Sequence, residues 1–310
     1  MKEISIVIPT YKRSSSVRDL LKSVDEQVYD FNKLEMIVVS NFEDAELENS
    51  INSMDLQNIE VQLLIASKQG ANASRNLGIK KSTAEIIYLL DDDCRLNKNN
   101  FLNELVSLHK KHKNAGVIGG GYEVSLCASV EERAYNLISK EWQYIHKLGS
   151  LTSTRLVGGN VSYKRSVFEN HNEFFDESIY YGGSESEFHK RLFKKNIEMM
   201  YFPNLTVLHE SRVDENDIIN KARKQAITHS QFDIDGGGYI EQKKTYQDNL
   251  SVWALKASKN NKEYRRIIEL MSLYNWVYHS VLKKPKISLL KLRWDRVVFM
   301  NKRRSEAGRL

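Results

Sequence analysis

Three consecutive aspartates, Asp91, Asp92 and Asp93, stand at the end of the apolar run Ile86-Ile87-Tyr88-Leu89-Leu90. Carboxylates this close repel one another unless a cation joins them. Mg2+ and Mn2+ are hard cations that take oxygen ligands and often bind phosphate as well, so the cluster reads as a metal site. The plain alternative is a solvated acidic turn that caps the next helix. An apolar run bounded by turn signals predicts a buried strand. In open α/β sheets, ligands sit at the carboxyl ends of parallel strands.

A sheet must therefore carry these aspartates. Ile4-Ser5-Ile6-Val7-Ile8-Pro9 is a near-continuous β-rich run of the kind buried on both faces, with Pro9 ending it and 10–13 forming the loop. Val17, Leu20, Leu21, Val24 and Val28 have helical spacing and predict a helix over 14–28. Further strands are expected at 34–39, 59–66 and 86–90, with helices at 43–54 and 70–81 between them. This alternation predicts an α/β fold with a mostly parallel, doubly wound sheet flanked by helices. The pattern then changes. A helix is expected at 100–113. Val117-Ile118 reads as a short strand running into a flexible turn at Gly119-Gly120-Gly121. A helix over 130–146 carries Tyr135, Trp142 and Tyr144, which face either a ligand or the core, the core being the favoured reading. A strand at 161–163 and a helix at 187–195 follow. The runs 197–202 and 205–208 read as a strand or hairpin pair turning at Pro203-Asn204. Beyond Asp214 the chain reads as helical, interrupted at Asp235-Gly236-Gly237-Gly238.

Charge is unevenly placed. The 310 residues carry a net +6, with 41% hydrophobic and 28% charged residues, ordinary values for a globular protein. Residues 281–310 hold ten basic and two acidic side chains, so the tail is at +8 and the other 280 residues sum to −2. A basic body face for nucleic acid is therefore not indicated. In the tail, Ile287, Leu290, Trp294, Val297, Val298 and Asn301 share helical spacing. Such a basic amphipathic segment with Trp fits peripheral contact with an anionic membrane surface; a helix packed on the body, or an oligomer contact, is the alternative. No apolar run reaches the roughly 20 residues that span a bilayer, no signal peptide is visible, and two cysteines, Cys94 and Cys127, suggest no disulfide framework. These features predict a cytoplasmic protein, at the inner face of the plasma membrane if the tail binds it.

The order of short motifs resembles the inverting family 2 glycosyltransferases, whose nucleotide-sugar-binding fold is called GT-A. Ile6-Val7-Ile8-Pro9-Thr10-Tyr11-Lys12-Arg13 resembles the opening strand and loop of that family. Gly70 to Gly78 is similar to its small-residue helix with Ala-Arg-Asn-x-Gly. Leu90-Asp91-Asp92-Asp93 is similar to its Asp-x-Asp motif, Gly158-Gly159-Asn160 to its Gly-Gly-Asn loop, and Phe175-Asp176-Glu177 to its Phe-Asp-Glu. Ser184-Glu185-Ser186-Glu187-Phe188-His189-Lys190-Arg191 resembles its Glu-Asp-x-Asp-Leu-x-x-Arg helix, and His209 its late histidine. The resemblance runs from Met1 to His209, in seven motifs whose order carries more weight than any one of them.

The resemblance implies a metal-dependent transfer from a nucleoside-diphosphate sugar, UDP-sugar favoured, to a hydroxyl acceptor that is a glycan, lipid-linked or other, in bacterial polysaccharide or surface-glycan synthesis. It implies Mn2+ or Mg2+ as cofactor, with Asp93 and His209 as ligands and Asp91 facing the ribose or reaching the metal through water. Pro9, Thr10, Tyr11, Arg13, Asn41, Arg75, Asp91, Asp92, Gly159 and Asn160 would meet the sugar nucleotide. The ungapped match puts the catalytic base at Glu185, one methylene longer than the family's Asp, with Glu187 as the alternative. Arg191, four residues on, is placed to hold Glu187 and leave Glu185 the freer group. A second departure lies at Val38-Val39-Ser40-Asn41, where the family usually has an Asp that reads uracil; Asn41 or Asp44 is the available substitute. The implied organisation is a GT-A domain at 1–213, split into a nucleotide-sugar half at 1–93 and an acceptor half at 94–213, followed by a helical region at 214–310. The rival readings are a non-catalytic nucleotide- or glycan-binding relative and a sugar-nucleotide nucleotidyltransferase. The latter should carry a glycine-rich loop after the first strand, and Pro9 to Arg13 has no glycine.

Overall fold

Alternation along the strands decides the architecture. The computed structural model describes residues 2–125, 128–144, 156–180, 182–231 and 253–281. Its strands are β1 (Ile4–Thr10), β2 (Leu34–Ser40), β3 (Val61–Ile65), β4 (Ile86–Leu90), β5 (Cys94–Arg95), β6 (Ala115–Glu123), β7 (Asn160–Lys164) and β8 (Glu198–His209). They form one sheet in the order β3-β2-β1-β4-β7-β6-β8-β5. Ile4, Ile6 and Ile8 enter one apolar cluster and Val7 the other; Met36 and Val38 face the first while Ile37 and Val39 face the second. Both faces are thus buried, which is why these strands read as unbroken apolar runs.

The helices cover those faces. They are α1 (Ser14–Asp25), α2 (Ala45–Asn52), α3 (Ala71–Lys81), α4 (Phe101–Lys111), α5 (Val130–Tyr144), α6 (Arg165–Glu169), α7 (Ser184–Lys194), α8 (Glu215–Gln231) and α9 (Asn261–Val281). Val17, Leu20, Leu21 and Val24 of α1 join the first cluster, and Phe188 and Leu192 of α7 the second. A third cluster packs Ala134, Leu137 and Ile138 of α5 against α8 and α9. Tyr135 packs at its edge as expected, whereas the side chains of Trp142 and Tyr144 lie outside the described residues. The glycine break at 235–238 and the basic tail beyond residue 281 also lie outside them. Among the described residues no helix is long and apolar enough to cross a membrane.

The expected parallel, doubly wound half is present: β2 and β4 flank β1, and β3 flanks β2, all parallel. Beyond β4 the sheet is mixed. β7 runs antiparallel to β4 and β6, β6 is parallel to β8, and β5 is antiparallel to β8. Pro9 does not end β1, which continues to Thr10. It lies past the last β4 pairing, Val7 with Leu89, where a missing N–H is tolerated at an open edge.

Two expectations are corrected in the second half. Gly119-Gly120-Gly121 is not a turn but the middle of β6. A Cβ at Gly120 would lie 1.5 Å from the Leu205 carbonyl oxygen, so the glycine serves close approach of two strands. Pro203-Asn204 is not a hairpin turn either. β6 pairs in parallel with residues on both sides of it, Gly119 with Tyr201 and Gly121 with Thr206. A hairpin would reverse direction; this chain only bulges and continues.

Two buried histidines give the fold a pH dependence. His109 Nε2 lies 2.7 Å from Ser162 Oγ, which itself donates to the Ile118 carbonyl, and His189 Nε2 lies 2.8 Å from Tyr163 Oη. Burial pushes both imidazoles down to about 3, helped at His109 by Lys164. Each is neutral in the folded chain and takes a proton near its ordinary pKa of about 6.5 once unfolded. Their stability is therefore full above roughly pH 6.5 and is lost as pH falls toward about 3, by up to ~1.4 kcal/mol per pH unit for each. Urea midpoints should fall steadily from pH 7 to pH 5; a flat profile would contradict this assignment.

Candidate active site

The carboxyl ends of β1, β4 and β8 converge with the start of α7, and the acidic cluster sits among them. Its aspartates have different sets of partners, with Arg13 shared by two of them. Asp92 accepts from Thr10 Oγ1 at 2.7 Å and from Arg13 Nη1 at 2.9 Å. Arg13 Nη1 also donates to Asp93 Oδ2 at 2.8 Å. Asp93 Oδ1 faces His209 Nε2 at 3.3 Å. Asp91 Oδ1 accepts from Arg75 Nη2 at 3.0 Å. Burial and the adjacent Asp93 push the Asp92 carboxyl up to about 6, against the pull of Arg13 and Thr10. Burial works in the same upward sense on Asp93, but His209 and Arg13 outweigh it and hold that carboxyl well below the usual range. Asp93 is thus kept ionised, as a metal ligand must be.

Arg75 links this cluster to the acid at α7. Its Nη1 lies 3.1 Å from Glu185 Oε1, and its guanidinium stacks 5.7 Å from the Phe175 ring. The arginine is buried, and two carboxylates with the ring hold it in place. Its helix carries the other motif residues for identifiable reasons. Asn76 donates to the Phe175 carbonyl at 2.9 Å and accepts from the Phe175 N–H at 3.0 Å. Asn72 donates to the Asp176 carbonyl at 2.7 Å. A Cβ at Gly78 would meet Val7 at 2.3 Å, so α3 lies tight against β1. The Phe-Asp-Glu segment is thereby clamped against α3, with Phe175 on Arg75.

Glu185 and Glu187 both stand in the first turn of α7, entered through Gly183 in the left-handed region at φ 82°. Their surroundings differ. Glu187 is held on both oxygens by Arg191, at 2.7 and 2.9 Å, and Arg191 also pairs with Glu173. Glu185 is not wholly free, because Arg75 touches it, but its second oxygen has no partner among the described residues, and Arg75 joins it to Asp91. The two glycines before β7 make room for this arrangement. A Cβ at Gly158 would lie 2.0 Å from Glu185 Oε1, and one at Gly159 would lie 2.4 Å from Asp91 Oδ2. Gly158→Ala should therefore displace a flexible carboxylate and not the backbone. Stability should change by under about 1 kcal/mol, while turnover falls about 10–100-fold, as a misplacement near 1 Å can cause. Steady-state rates beside a urea titration check both halves of that expectation.

Several expected donor contacts are placed differently. Asn160 is fully buried: Nδ2 donates to the carbonyls of Gly121 and Leu205 at 2.9 Å each, and Oδ1 accepts from Tyr88 Oη at 2.9 Å. The expected sugar contact is thus not available to its side chain, which braces β6, β7 and β8 beneath the site. Asn41 is likewise committed, donating to Ser74 Oγ at 2.6 Å and accepting from the Gly70 N–H. Asp44 caps α2 by accepting from Leu47 N–H at 3.0 Å. Asn41 thus has its amide turned inward, whereas Asp44 spends one carboxylate oxygen on the cap and keeps the other. Tyr11 is exposed, at 53%, and meets Phe42 edge-on at 5.3 Å, which makes an aromatic wall at the ends of β1 and β2. Phe42 carried no motif and was invisible in the sequence.

Tyr122 was also missed. Its ring stacks on His209 at 4.2 Å with 13° between planes, and its Oη accepts from the Gly159 N–H at 3.1 Å. It fixes the imidazole plane against Asp93. Its place at the end of an expected glycine turn hid this role. For a divalent ion the residues fit in one way. Asp93 and His209 offer one oxygen and one nitrogen at facing positions; Asp91 has one oxygen taken by Arg75. Among the described residues no three such side chains cluster as a closed metal cage. Two protein ligands, completed by diphosphate and water, is how Mg2+ and similar ions bind at phosphate-transfer sites.

A Rossmann-like half sheet, an acidic cluster at its carboxyl edge and an acid at a facing helix start define a nucleotide-sugar transferase fold of the GT-A type. Residues 5–171, more than half of the chain, match the model described as Glycosyl transferase family 2, an inverting family, and the chain belongs to that family. Among curated relatives, it is 34% identical over 93 residues to glycosyltransferase AglE of Haloferax volcanii, a match covering 29% of this chain and 30% of AglE. It is 26% identical over 98 residues to the GalNAc(5)-diNAcBac-PP-undecaprenol beta-1,3-glucosyltransferase of Campylobacter jejuni, covering 31% of each. These matches span about a third of the relatives' own lengths. In structure it is similar to TarS of Staphylococcus aureus, at TM-score 0.53 and 14% identity over 89% of this chain and 52% of that one. It is also similar to the mannosyltransferase PcManGT of Pyrobaculum calidifontis, in complex with GDP-Man and Mn2+, at TM-score 0.57 and 14% identity, over 96% of this chain and 80% of that one.

Proposed function

We propose that this chain is a metal-dependent inverting glycosyltransferase that moves a sugar from a nucleoside-diphosphate sugar to a hydroxyl acceptor in glycan synthesis. The observation that carries this reading is that Asp91, at the head of the acidic cluster whose Asp93 pairs with His209, is joined to Glu185 through one buried arginine, Arg75. In this reading Glu185 takes the proton of the acceptor hydroxyl as it attacks the anomeric carbon from the face opposite the diphosphate. Asp93 and His209 would hold the divalent ion, which would supply Lewis-acid stabilisation of the departing diphosphate. Arg13, half-exposed and bridging Asp92 and Asp93, is placed to turn toward the phosphates, where its fork of donors suits them. Tyr11 and Phe42 offer a stacking surface to the base. A UDP-sugar is favoured because TarS, of like fold, has been solved with UDP and with UDP-GlcNAc. We assign donor binding to 1–93, the acceptor side to 94–213, and acceptor choice to the helices beyond 214.

A thermal-shift screen tests the reading directly. UDP, GDP and their sugars would each be added with and without Mn2+. A ligand at 100 times its Kd stabilises the folded state by about 2.7 kcal/mol. At least one nucleotide should give a rise that depends on the metal. No metal-dependent shift with any of them would overturn the proposal.

A further inference from the structure

Two guanidiniums meet the acidic cluster, and they are held in different ways. Arg75 is buried, clamped between Asp91 and Glu185 and stacked on Phe175. The Arg13 side chain is 46% exposed, and among the described residues it hydrogen-bonds to Asp92 and Asp93 alone. One nitrogen makes both contacts: Nη1 lies 2.9 Å from Asp92 Oδ1 and 2.8 Å from Asp93 Oδ2. A single positive centre thus fills the space between two adjacent carboxylates. Asp93 turns its other oxygen, Oδ1, to His209 Nε2 at 3.3 Å. A divalent ion held by Asp93 and His209 would share that carboxylate with a guanidinium, and two cations so close repel. The backbone of Arg13 is fixed, but its side chain is not. Its carbonyl accepts from the Val17 N–H at 3.0 Å as α1 begins, and Thr10 is tied through Oγ1 to Asp92 Oδ2 at 2.7 Å. Rotation about its side-chain bonds can carry the guanidinium off the carboxylates without moving the loop.

We propose that Arg13 is an internal counter-cation of the acidic cluster: it competes with the divalent ion for Asp93 and leaves when a diphosphate binds, so that metal and nucleotide bind as a pair. This rests on the metal-dependent reading above. The physical reason is charge pairing. Asp92 and Asp93 stand side by side, and their repulsion requires a cation between them. With Arg13 in place, a metal ion alone meets carboxylates that are already paired. With Arg13 turned to the phosphates and no metal, the two carboxylates are left facing each other. Only the joint exchange keeps every charge paired. The guanidinium then meets the diphosphate, which its fork of donors fits, and Asp93 with His209 is free for the ion. Such coupling is reciprocal: the factor by which nucleotide tightens metal equals the factor by which metal tightens nucleotide.

Calorimetric titration of the full chain with Mn2+, alone and with saturating UDP or GDP, is the test. Arg13→Gln should bind Mn2+ alone at least about ten-fold more tightly than wild type, within the ordinary range of coupling between sites. The factor by which nucleotide tightens Mn2+ should fall by a similar amount. Arg13→Lys keeps the charge and should stay close to wild type in both measurements. The sign is decisive, because a residue that merely props the loop would weaken Mn2+ binding when removed. Asp93→Asn should abolish Mn2+ binding, and binding that survives it lies elsewhere and overturns the proposal. Equal or weaker Mn2+ binding by Arg13→Gln overturns the competition and leaves the metal site standing. A gain with an unchanged nucleotide factor overturns the link to the diphosphate. Mn2+ binding by neither wild type nor Arg13→Gln, with or without either nucleotide, sinks the metal-dependent reading and this proposal with it.

Discussion

Replacing Glu185 by glutamine is expected to lower kcat by about 10²–10⁴-fold, the range general-base catalysis supplies. Donor affinity should hardly move, because glutamine keeps the length of the side chain and Arg75 keeps Asp91, at 3.0 Å. The partner experiment is Glu187→Gln. Glu187 is already held on both oxygens by Arg191. Its loss should leave turnover within a few-fold and cost about 1 kcal/mol of stability, the worth of a partly exposed charged pair. Rates for both variants with a donor identified by thermal shift decide the matter. If Glu187→Gln kills turnover and Glu185→Gln does not, the base is reassigned. If wild type binds a nucleotide tightly but transfers nothing across a broad donor and acceptor panel, the non-catalytic reading replaces the enzyme.

The sequence exposed those parts of the fold that depend on local pattern. The strand at Ile86–Leu90 and the helix ending at Lys81 lie where periodicity places them. Both are bounded by residues whose chemistry is local: aspartates in one case, a change to polar residues in the other. What failed was the part set by long-range packing. Gly119 to Gly121 has the composition of a turn, and only the approach of Leu205 explains why strand geometry wins. Pro203-Asn204 has the signature of a hairpin, and only pairing with β6 on both sides shows otherwise. The short β5 and α6 exist through their neighbours and gave no local signal. At the site, the motif acids and His209 were visible by residue type. Tyr122 and Phe42 were not, since an aromatic in a strand or loop carries no signature until its partner is known. Asn160 shows the opposite failure. Its motif marks an important residue, but the importance lies in three hydrogen bonds inside the sheet.

That same interior network makes Gly120→Ala the substitution with the largest expected effect on folding. The new methyl would sit 1.5 Å from the Leu205 carbonyl oxygen and 2.8 Å from Asn160 Nδ2. The nearest atom is backbone, so no rotamer change relieves the clash, and β6 must separate locally from β8. Overpacking of this kind costs about 1–3 kcal/mol. Moving the Leu205 carbonyl also removes one acceptor from the buried Asn160 amide, at about 1–3 kcal/mol more. A loss of ~2–6 kcal/mol in urea unfolding is therefore expected. The damage should extend to the site, because Tyr122 is carried by β6 and His209 by β8. Separating these strands breaks the 4.2 Å stack that holds the imidazole toward Asp93. Even under conditions where Gly120→Ala remains folded, its Mn2+-dependent nucleotide shift should shrink. A variant with a wild-type urea midpoint would show that the strands can part without cost, and the structural role given to this glycine would then be wrong.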